Sequence, residues 1–356
     1  MQINRSNLDL PLAAGKGETD DEDFCFPISP FMIFPESCGE FAIYVKKGKN
    51  LILFTRDGEQ FTRAHKAILH ENGIREVYIK ASQKPDYDRY LEEHLGTILT
   101  DESIPLAVRS SVFYDLATCV LGEIFETNRH GLSSGSLDKL KNIVRSSLQF
   151  LSTGAAFRAM APVMSHGYGV DTHSVNVFIY TAAILGSWKM SVEERLKTAL
   201  GAILHDIGKA TMPRGILNKH GKLNTEERDL MKMHPVRGAG MCSMFHIGQT
   251  VIHCLLFHHE KLDGSGYPAG LRESRIPLHA RIVGVVDAFD TFTSERYFYA
   301  DPLTPHQALT FLGEEMMGWY DPEVIFQFGK KLREGGIDWP CLAPLKSLWS
   351  SIPAHP

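Results

Sequence analysis

The chain has 356 residues, with 37 lysine and arginine side chains against 42 aspartate and glutamate side chains, and its formal net charge is −5. This length predicts about two domains, each large enough to bury a substantial core. The acidic balance argues against a protein that coats a nucleic-acid polymer, because binding along a phosphate backbone needs a basic excess. No stretch of 18 apolar residues occurs, so we predict no membrane span.

Histidine and cysteine are distributed very differently along the chain. The six cysteines are scattered without a CxxC pair, which argues against a disulfide framework and against a structural zinc site. Ten of the 16 histidines lie between His166 and His279. The first 25 residues lack the basic start and the apolar stretch of a signal peptide, so we predict a cytoplasmic protein.

The N-terminal part of the chain predicts a tail followed by a small α+β domain. Residues 1–25 are polar and become acidic, which is typical of a solvated, disordered tail. Apolar segments, helical spacing and Gly/Asn turns then predict two strands, a helix and a third strand, at 41–45, 51–54, 61–72 and 77–79. We assign a small regulatory α+β domain to residues 26–100.

Residues 101–158 have the periodicity of connecting helices. Apolar side chains recur at four-residue steps in the first helix, at Val108, Val112, Leu116, Val120 and Ile124. A Gly/Ser-rich break at 131–135 precedes a second helix at 137–151. Such helices either transmit a signal and form a dimer seam, or serve as an ordinary packing layer between domains.

The remaining residues, 159–356, are helical segments broken by glycine and proline, with little strict alternation of apolar and polar residues. They predict an almost entirely α-helical domain. The fold class predicted for the chain is therefore mainly α, with an all-α helical bundle after a small N-terminal α+β domain.

The strongest local motif contains His205, Asp206 and Lys209 at the end of an apolar helical run. Helical spacing places His205 and Lys209 four positions apart on one face, with Asp206 beside them. Such a group at a buried helix end is costly unless its charges are paired or it binds a metal. A lone His–Asp pair is more often a structural hydrogen-bonded couple.

Several further ligand-type side chains stand at predicted helix ends. Asp171 is a plausible N-cap of the helix that carries His173, and Asp287 lies in an apolar segment where an unpaired carboxylate is costly. The other imidazoles of this kind are His234 and the pair His258 and His259, which follows a predicted helix over 247–257. Six or seven such side chains favour a dinuclear metal site with imidazole and carboxylate ligands, which suits iron, manganese or zinc.

A short glycine-containing segment, Asp263 to Pro268, follows the paired histidines directly. Its two glycines permit unusual backbone angles and the close approach of a ligand, and Pro268 stiffens the exit. Tyr267 lies between Gly266 and Pro268, where its ring and hydroxyl are available to a substrate. Such a segment is by itself only a turn, and its position beside the candidate ligands is what gives it weight.

These motifs, in this order, resemble those of the HD-GYP family, a branch of the HD-domain metal-dependent phosphohydrolases. The resemblance covers about residues 160–335 and is carried by 173–177, 205–209, 233–235, 258–268 and 281–290. It implies a bacterial, cytoplasmic phosphodiesterase that hydrolyses the second messenger cyclic di-GMP to pGpG and then GMP. It also implies a helical bundle around two or three metal ions, commonly iron or manganese.

The resemblance further implies a role for each matching residue. One metal would be held by His173, His205, Asp206 and Asp287. The second would be held by Asp206, His234, His258 and His259, with Asp206 as the bridge. Lys209 would contact the scissile phosphate and Arg296 the other phosphate, while Asp263, Gly266, Tyr267 and Pro268 would shape the substrate side of the site.

The sequence departs from the family pattern at two places. Gly169 stands where some members have a glutamate that binds a third metal, so we predict two divalent ions. Residues 297–299 are aromatic where basic residues are usual, which leaves open hydrolysis of another cyclic dinucleotide such as cyclic GMP-AMP.

A low-activity signalling adaptor that binds nucleotide is a further alternative, although the complete ligand set favours catalysis. The expected partners are a cyclic dinucleotide, a GGDEF-type or other signalling protein, and, from the apolar connecting helices, a second copy of the chain.

Overall fold

The structure is a computed structural model, and it describes residues 18–19, 25–48, 50–127, 132–164, 169–219, 221–295 and 301–336. It divides into two compact units, Met1–Ile104 and Pro105–Pro356. Most of the predicted tail, 1–25, lies outside the described residues. Glu18–Thr19, within that tail, forms a short strand.

The first unit is built on a five-stranded antiparallel sheet with the strand order β1-β5-β4-β7-β2. The strands of the unit are β1 (Glu18–Thr19), β2 (Cys25–Ile28), β3 (Ser37–Cys38), β4 (Ile43–Lys47), β5 (Asn50–Thr55), β6 (Gln60–Phe61) and β7 (Val77–Lys80). β3 and β6 form a separate pair. In the predicted hairpin, Val45 of β4 lies opposite Ile52 of β5.

Two helices complete this unit, α1 (Arg63–Glu71) and α2 (Lys84–Thr100). α1 begins after Thr62, whose side chain accepts a hydrogen bond from the backbone of His65, a typical N-cap arrangement. The ring of Phe41 meets the rings of Tyr87 and Tyr90 on α2 edge-on, at centroid distances of 5.4 and 5.3 Å. Aromatic packing of this kind provides much of the core of a small domain.

Among the described residues of the second unit there is an isolated bridge between Asp263 and Arg272 but no strand, and the main elements are α-helices. They are α3 (Leu106–Thr127), α4 (Ser134–Ser152), α5 (Gly154–Met160), α6 (Val170–Ile184), α7 (Val192–Leu204), α8 (Arg214–Leu217), α9 (Thr225–Met231), α10 (His234–Cys242), α11 (Gln249–Phe257), α12 (Leu278–Thr293), α13 (Pro305–Thr310) and α14 (Pro322–Glu334). The predicted fold class, mainly α with a small N-terminal α+β domain, is confirmed.

Helix α6 lies at the centre of the second unit. It is buried without interruption from His173 to Ile184 and contacts α3, α4, α7, α12 and α14. The helices predicted as connectors, α3 and α4, thus pack directly on the helix that carries the first candidate ligand. The predicted break at 131–135 is too long, because Ser133 caps α4 and the helix begins at Ser134.

Among the described residues, no helix is both long enough and apolar enough to cross a bilayer.

Candidate metal centre

The motif that contains His205 and Asp206 forms a turn between two helical segments. α7 ends at Leu204, His205 is its C-cap, and residues Ile207–Thr211 form a 3-10 helix. The expectation of one continuous helical face through Lys209 is therefore wrong. The tighter turn brings the Lys209 ammonium to 2.5 Å from Oδ2 of Asp206.

Gly208 lets this turn pack directly on the backbone of α10. A Cβ at this position would lie 2.0 Å from the carbonyl oxygen of His234 and 2.6 Å from the nitrogen of Gly238. Both of those atoms belong to the backbone and cannot rotate away. Any side chain at 208 would separate Asp206 from His234, so the glycine is what allows the two to meet.

Backbone carbonyls fix the ring orientation of three buried histidines. Nδ1 of His205 lies 2.8 Å from the oxygen of Ala202, and Nδ1 of His234 lies 2.7 Å from the oxygen of Met231. Nδ1 of His258 is 3.0 Å from the oxygens of two residues in the preceding turn. A carbonyl only accepts, so each Nδ1 carries the proton and each Nε2 offers its lone pair to the centre.

His173 is oriented by a carboxylate instead. Its Nδ1 lies 2.7 Å from Oδ2 of Asp290, and its Nε2 lies 3.0 Å from Oδ1 of Asp287. Asn176 donates to Oδ1 of the same Asp290 at 3.0 Å and accepts from the Tyr114 hydroxyl at 3.1 Å. This hydrogen-bonded chain joins α3, α6 and α12 behind the ligand nitrogen. It is the arrangement that fixes the tautomer of metal-binding histidines in many sites.

The ligand atoms gather in two clusters within which all atoms lie within 4.8 Å of one another. One cluster contains His173, His205 and Asp287, and the other contains Asp206, His234, His258 and His259. Oδ2 of Asp206 is 3.4 Å from Nε2 of His205, while its Oδ1 is 3.2 Å from Nε2 of His234. The Asp206 carboxylate therefore faces both clusters.

Burial and charge together set the ionisation of the centre. Burial would raise the pKa of Asp206, but the Lys209 ammonium and the His205 imidazole hold it well below its usual range. Burial lowers the pKa of His258 far below that of free imidazole and lowers the pKa of His259 to about 3. Burial also lowers the pKa of His205, but nearby carboxylates, Asp206 foremost, outweigh it and raise the pKa to about 10. These carboxylates thus favour a positive charge at the ring nitrogen of His205 that faces them, whether a proton or a metal ion supplies it.

The residues present fit a metal. Nε2 of His205 and Oδ1 of Asp206 are both buried, and neither makes a hydrogen bond with a described residue. An unsatisfied buried acceptor is costly, and a bound cation satisfies it. Imidazole nitrogens and carboxylate oxygens, with no thiolate among them, are ligands for iron, manganese or zinc.

The segment after His259 is fixed by a buried carboxylate. Glu260 accepts hydrogen bonds from the backbone nitrogens of Ala269 and Leu271, at 2.6 and 2.9 Å. Gly266 approaches so closely that a Cβ there would lie 2.4 Å from the nitrogen of Lys261. The loop is thereby held against the centre, and the Tyr267 ring lies 4.8 Å from the ring of His259.

A cavity of about 490 Å³ opens beside both clusters. Its lining includes Lys209, His234, His259, Tyr267 and Asp287. Apolar side chains from several helices line other parts of it. The volume is in the range that accommodates a small-molecule ligand, so the candidate metal centre is open to a substrate.

The structure brings most of the predicted site residues together. The predicted ligands lie at the centre, whereas several predicted substrate contacts do not line the cavity. The seven predicted ligands and Lys209 meet at the centre, and all of these except His259 are buried. Asp263 is exposed and bonds within its own loop to Ser265. Asp263, Gly266 and Pro268 are not among the side chains that line the cavity. Arg296 and residues 297–299 lie outside the described residues.

Two local assignments at the helix starts need correction. The N-cap of α6 is Gly169, and Asp171 lies inside the first turn, where its charge suits the positive end of the helix. The histidine pair follows a helix that begins at Gln249, two residues later than expected, and His258 is its C-cap. Neither difference moves a ligand.

Comparison with known proteins decides the family. Residues 140–324, more than half of the chain, match the family model of the HD domain. The chain belongs to the HD-domain family. A solved HDG"Y"P protein from Bdellovibrio bacteriovorus has a similar fold, with a TM-score of 0.61 and 23% identity, over 87% of this chain and 99% of that protein.

Several curated phosphodiesterases have similar sequences. A cyclic di-GMP phosphodiesterase of Pseudomonas aeruginosa is 28% identical over 74% of this chain and 66% of its own length. A cyclic di-GMP phosphodiesterase response regulator of Xanthomonas campestris is 39% identical over 38% of this chain. A 3′3′-cGAMP-specific phosphodiesterase of Vibrio cholerae is 34% identical over 45% of this chain. The chain spans 66% of the first relative and only about a third of the other two, 36% and 35%.

Sequence reasoning did not assign the residues behind the ligands. Asp290 and Asn176 each follow a candidate ligand by three positions on the same helix, a spacing that places both on the ligand's face. That spacing was a usable signal. Nothing in the sequence pointed to Tyr114, which lies more than 60 positions before its partner, Asn176.

Proposed function

We propose that this chain is a metal-dependent phosphodiesterase that hydrolyses cyclic di-GMP. The observation that carries the proposal is the position of the Asp206 carboxylate, buried between two clusters of ligand atoms beside an open cavity. The names of the relatives support the substrate class, since they include both cyclic di-GMP and cGAMP phosphodiesterases.

We assign two divalent ions, iron or manganese, to the two clusters. The first ion would be held by His173, His205, Asp206 and Asp287. The second would be held by Asp206, His234, His258 and His259. Gly169 offers no side chain at the position where a third ligand group is expected, which supports two ions rather than three. When bound, the ions supply a water of lowered pKa and neutralise charge on the phosphate.

Side chains around the proposed metal site position the phosphate and the ligand His173. Lys209 adds a positive charge at the cavity, where negative charge develops on the phosphate during attack. Its contact with Asp206 holds the ammonium in place before substrate arrives. Asp290 and Asn176 keep His173 in the tautomer that leaves Nε2 unprotonated. Arg296 is proposed to contact the second phosphate.

The loop that ends at Pro268 shapes the substrate side of the site. Tyr267 lines the cavity, so its ring is placed to contact a base or ribose. Gly266 and Glu260 hold the loop in position, as described above. Asp263 closes the turn with Ser265, so we assign it an indirect role in substrate binding.

Hydrolysis yields pGpG, GMP, or both in sequence. The main alternative is another cyclic dinucleotide, cyclic GMP-AMP, because base discrimination depends on contacts in the pocket that the metal ligands do not fix. A low-activity nucleotide-binding adaptor is disfavoured by the complete ligand set. The homodimer and the GGDEF-type partner stay predictions.

The test is direct. The protein is purified without oxygen, its bound metal is quantified, and hydrolysis of cyclic di-GMP and 3′3′-cGAMP is followed side by side. We expect turnover of cyclic di-GMP to linear products that depends on bound metal and is abolished by a chelator. If metal-loaded protein turned over neither dinucleotide, the proposal would fail.

A further inference from the structure

Three cationic side chains line the cavity and form no ion pair with any residue that the structure describes. They are Lys222, Arg228 and Lys232, and we call them the cationic wall. All three are exposed. Their neighbour Lys219 differs, because its ammonium pairs with Glu227. The wall therefore presents positive charge that the described part of the protein leaves uncompensated.

Short distances connect the cationic wall to the metal centre. Arg228 and Lys232 are four positions apart at α9 and its C-cap, so they lie on the same face. The Lys232 ammonium lies 5.8 Å from the centroid of the Tyr267 ring, and that ring lies 4.8 Å from the ring of His259. His234 begins the next helix only two residues after Lys232. One cavity thus borders both the ligands and the wall.

The residues that line the cavity include four lysine and arginine side chains and one carboxylate, Asp287, although the chain has a net charge of −5. Three like charges around one cavity repel one another, and an anion in the cavity relieves that repulsion. Lys209 lies against Asp206 at the metal centre. The wall lines the same cavity and approaches Tyr267 through Lys232, so it is suited to a second anionic group of the same ligand.

We propose that the cationic wall binds the phosphate that is not being cleaved, and so selects substrates with two phosphodiester groups. The inference rests on the proposed function and deepens it, because it names the feature by which the site distinguishes a cyclic dinucleotide from a simple phosphodiester. Guanidinium and ammonium groups both form charge-assisted hydrogen bonds to phosphate oxygens. The wall acts in addition to the role proposed for Arg296.

The test compares a substrate with two phosphodiesters and one with a single phosphodiester. Lys222→Gln, Arg228→Gln and Lys232→Gln are made in the full, metal-loaded chain and assayed with cyclic di-GMP and with bis(p-nitrophenyl) phosphate. We expect each variant to raise KM for cyclic di-GMP by about tenfold, as for loss of a charged hydrogen bond. The kcat for cyclic di-GMP and the rate with bis(p-nitrophenyl) phosphate should stay near wild type. Lys189→Gln, at an exposed lysine that does not line the cavity, is the matched control and should change neither.

Two results would overturn the assignment of the wall. One is an unchanged KM for cyclic di-GMP in all three variants, and the other is an equal loss on both substrates. Failure of the proposed function itself would be recognised from the wild-type protein, not from the variants. In that case wild-type protein would cleave bis(p-nitrophenyl) phosphate but not cyclic di-GMP, and the assignment of the wall would fall with it.

Discussion

The metal centre and the cationic wall border the same cavity but are built in opposite ways. The ligands of the centre are almost all buried, and their free nitrogens are oriented by carbonyls or by Asp290. The side chains of the wall are exposed and have no ion-pair partner among the described residues. Under the proposed function this difference predicts a division of labour, in which the buried centre performs the chemistry and the exposed wall binds a distant part of the substrate.

The largest expected effect comes from removing the carboxylate that faces both clusters. Asp206→Ala leaves the Lys209 ammonium unpaired and removes the only side chain shared by the two proposed sites. We expect loss of bound metal and a fall in cyclic di-GMP hydrolysis on the order of a thousandfold or more. Metal analysis and an initial-rate assay measure the two losses together.

Asp138→Ala serves as the control for this variant, since Asp138 is an exposed carboxylate on α4 that pairs only with Lys141 among the described residues. It should keep wild-type metal content and rate. Retention of two metals and normal turnover in Asp206→Ala would show that the ligand assignment is wrong.

A smaller effect should come from the residue behind His173. Asp290→Asn keeps the shape of the side chain but weakens the hydrogen bond that fixes the tautomer of His173. Loss of such an outer partner typically costs about 10–100-fold in metal affinity or activity. We expect metal affinity to fall in that range, while excess metal restores much of the rate. If Asp290→Asn bound metal as tightly as wild type, the claim that Asp290 orients His173 for metal binding would be contradicted.

The turn that contains His205, Asp206 and Gly208 packs on α10, and the contribution of this contact to stability can be measured. Gly208→Ala forces a Cβ against two backbone atoms, and overpacking of this kind costs about 1–3 kcal/mol. Gly240→Ala is the matched control on α10, because a Cβ there meets nothing within 4 Å and alanine favours helix. The melting temperature should therefore be lower in Gly208→Ala and unchanged or higher in Gly240→Ala. Equal melting temperatures would mean that the turn is not tightly held.

The smallest effect is expected on the substrate side, at Tyr267. Tyr267→Ala removes the ring that lies between His259 and Lys232, and we expect KM for cyclic di-GMP to rise by about tenfold with metal content unchanged. Tyr267→Phe keeps the ring and should stay within about threefold of wild type. If metal content fell in either variant, Tyr267 would belong to the metal centre instead.

The sequence allowed the clustered side chains to be proposed as ligands because most of them occur in short motifs near helix ends, whereas Asp287 lies within α12. His205 with Asp206, and His258 with His259, are adjacent in the chain, and the order of the motifs is specific. The bundle was also predictable, since helical periodicity and glycine or proline breaks mark its segments. The exact ends of the helices could not be predicted. The 3-10 turn after His205, for example, depends on the contact of Gly208 with α10.

The supporting contacts could not be derived from local pattern. Tyr114 reaches Asn176 from a helix more than 60 residues earlier, and that contact exists only once α3 packs on α6. The cationic wall shows the same limit. Lys222 and Lys232 look like ordinary surface lysines in the sequence, and only the folded chain places them around one cavity with the ligands.

The central claim is that two metal ions held around Asp206 are needed for cleavage of a cyclic dinucleotide. Its most direct test is a titration of metal-free protein with Mn²⁺ under anaerobic conditions, with the initial rate of cyclic di-GMP hydrolysis measured at each addition. The account predicts that the rate reaches its plateau at two equivalents of metal per chain. A plateau at one equivalent, or the absence of turnover at any ratio, would contradict it.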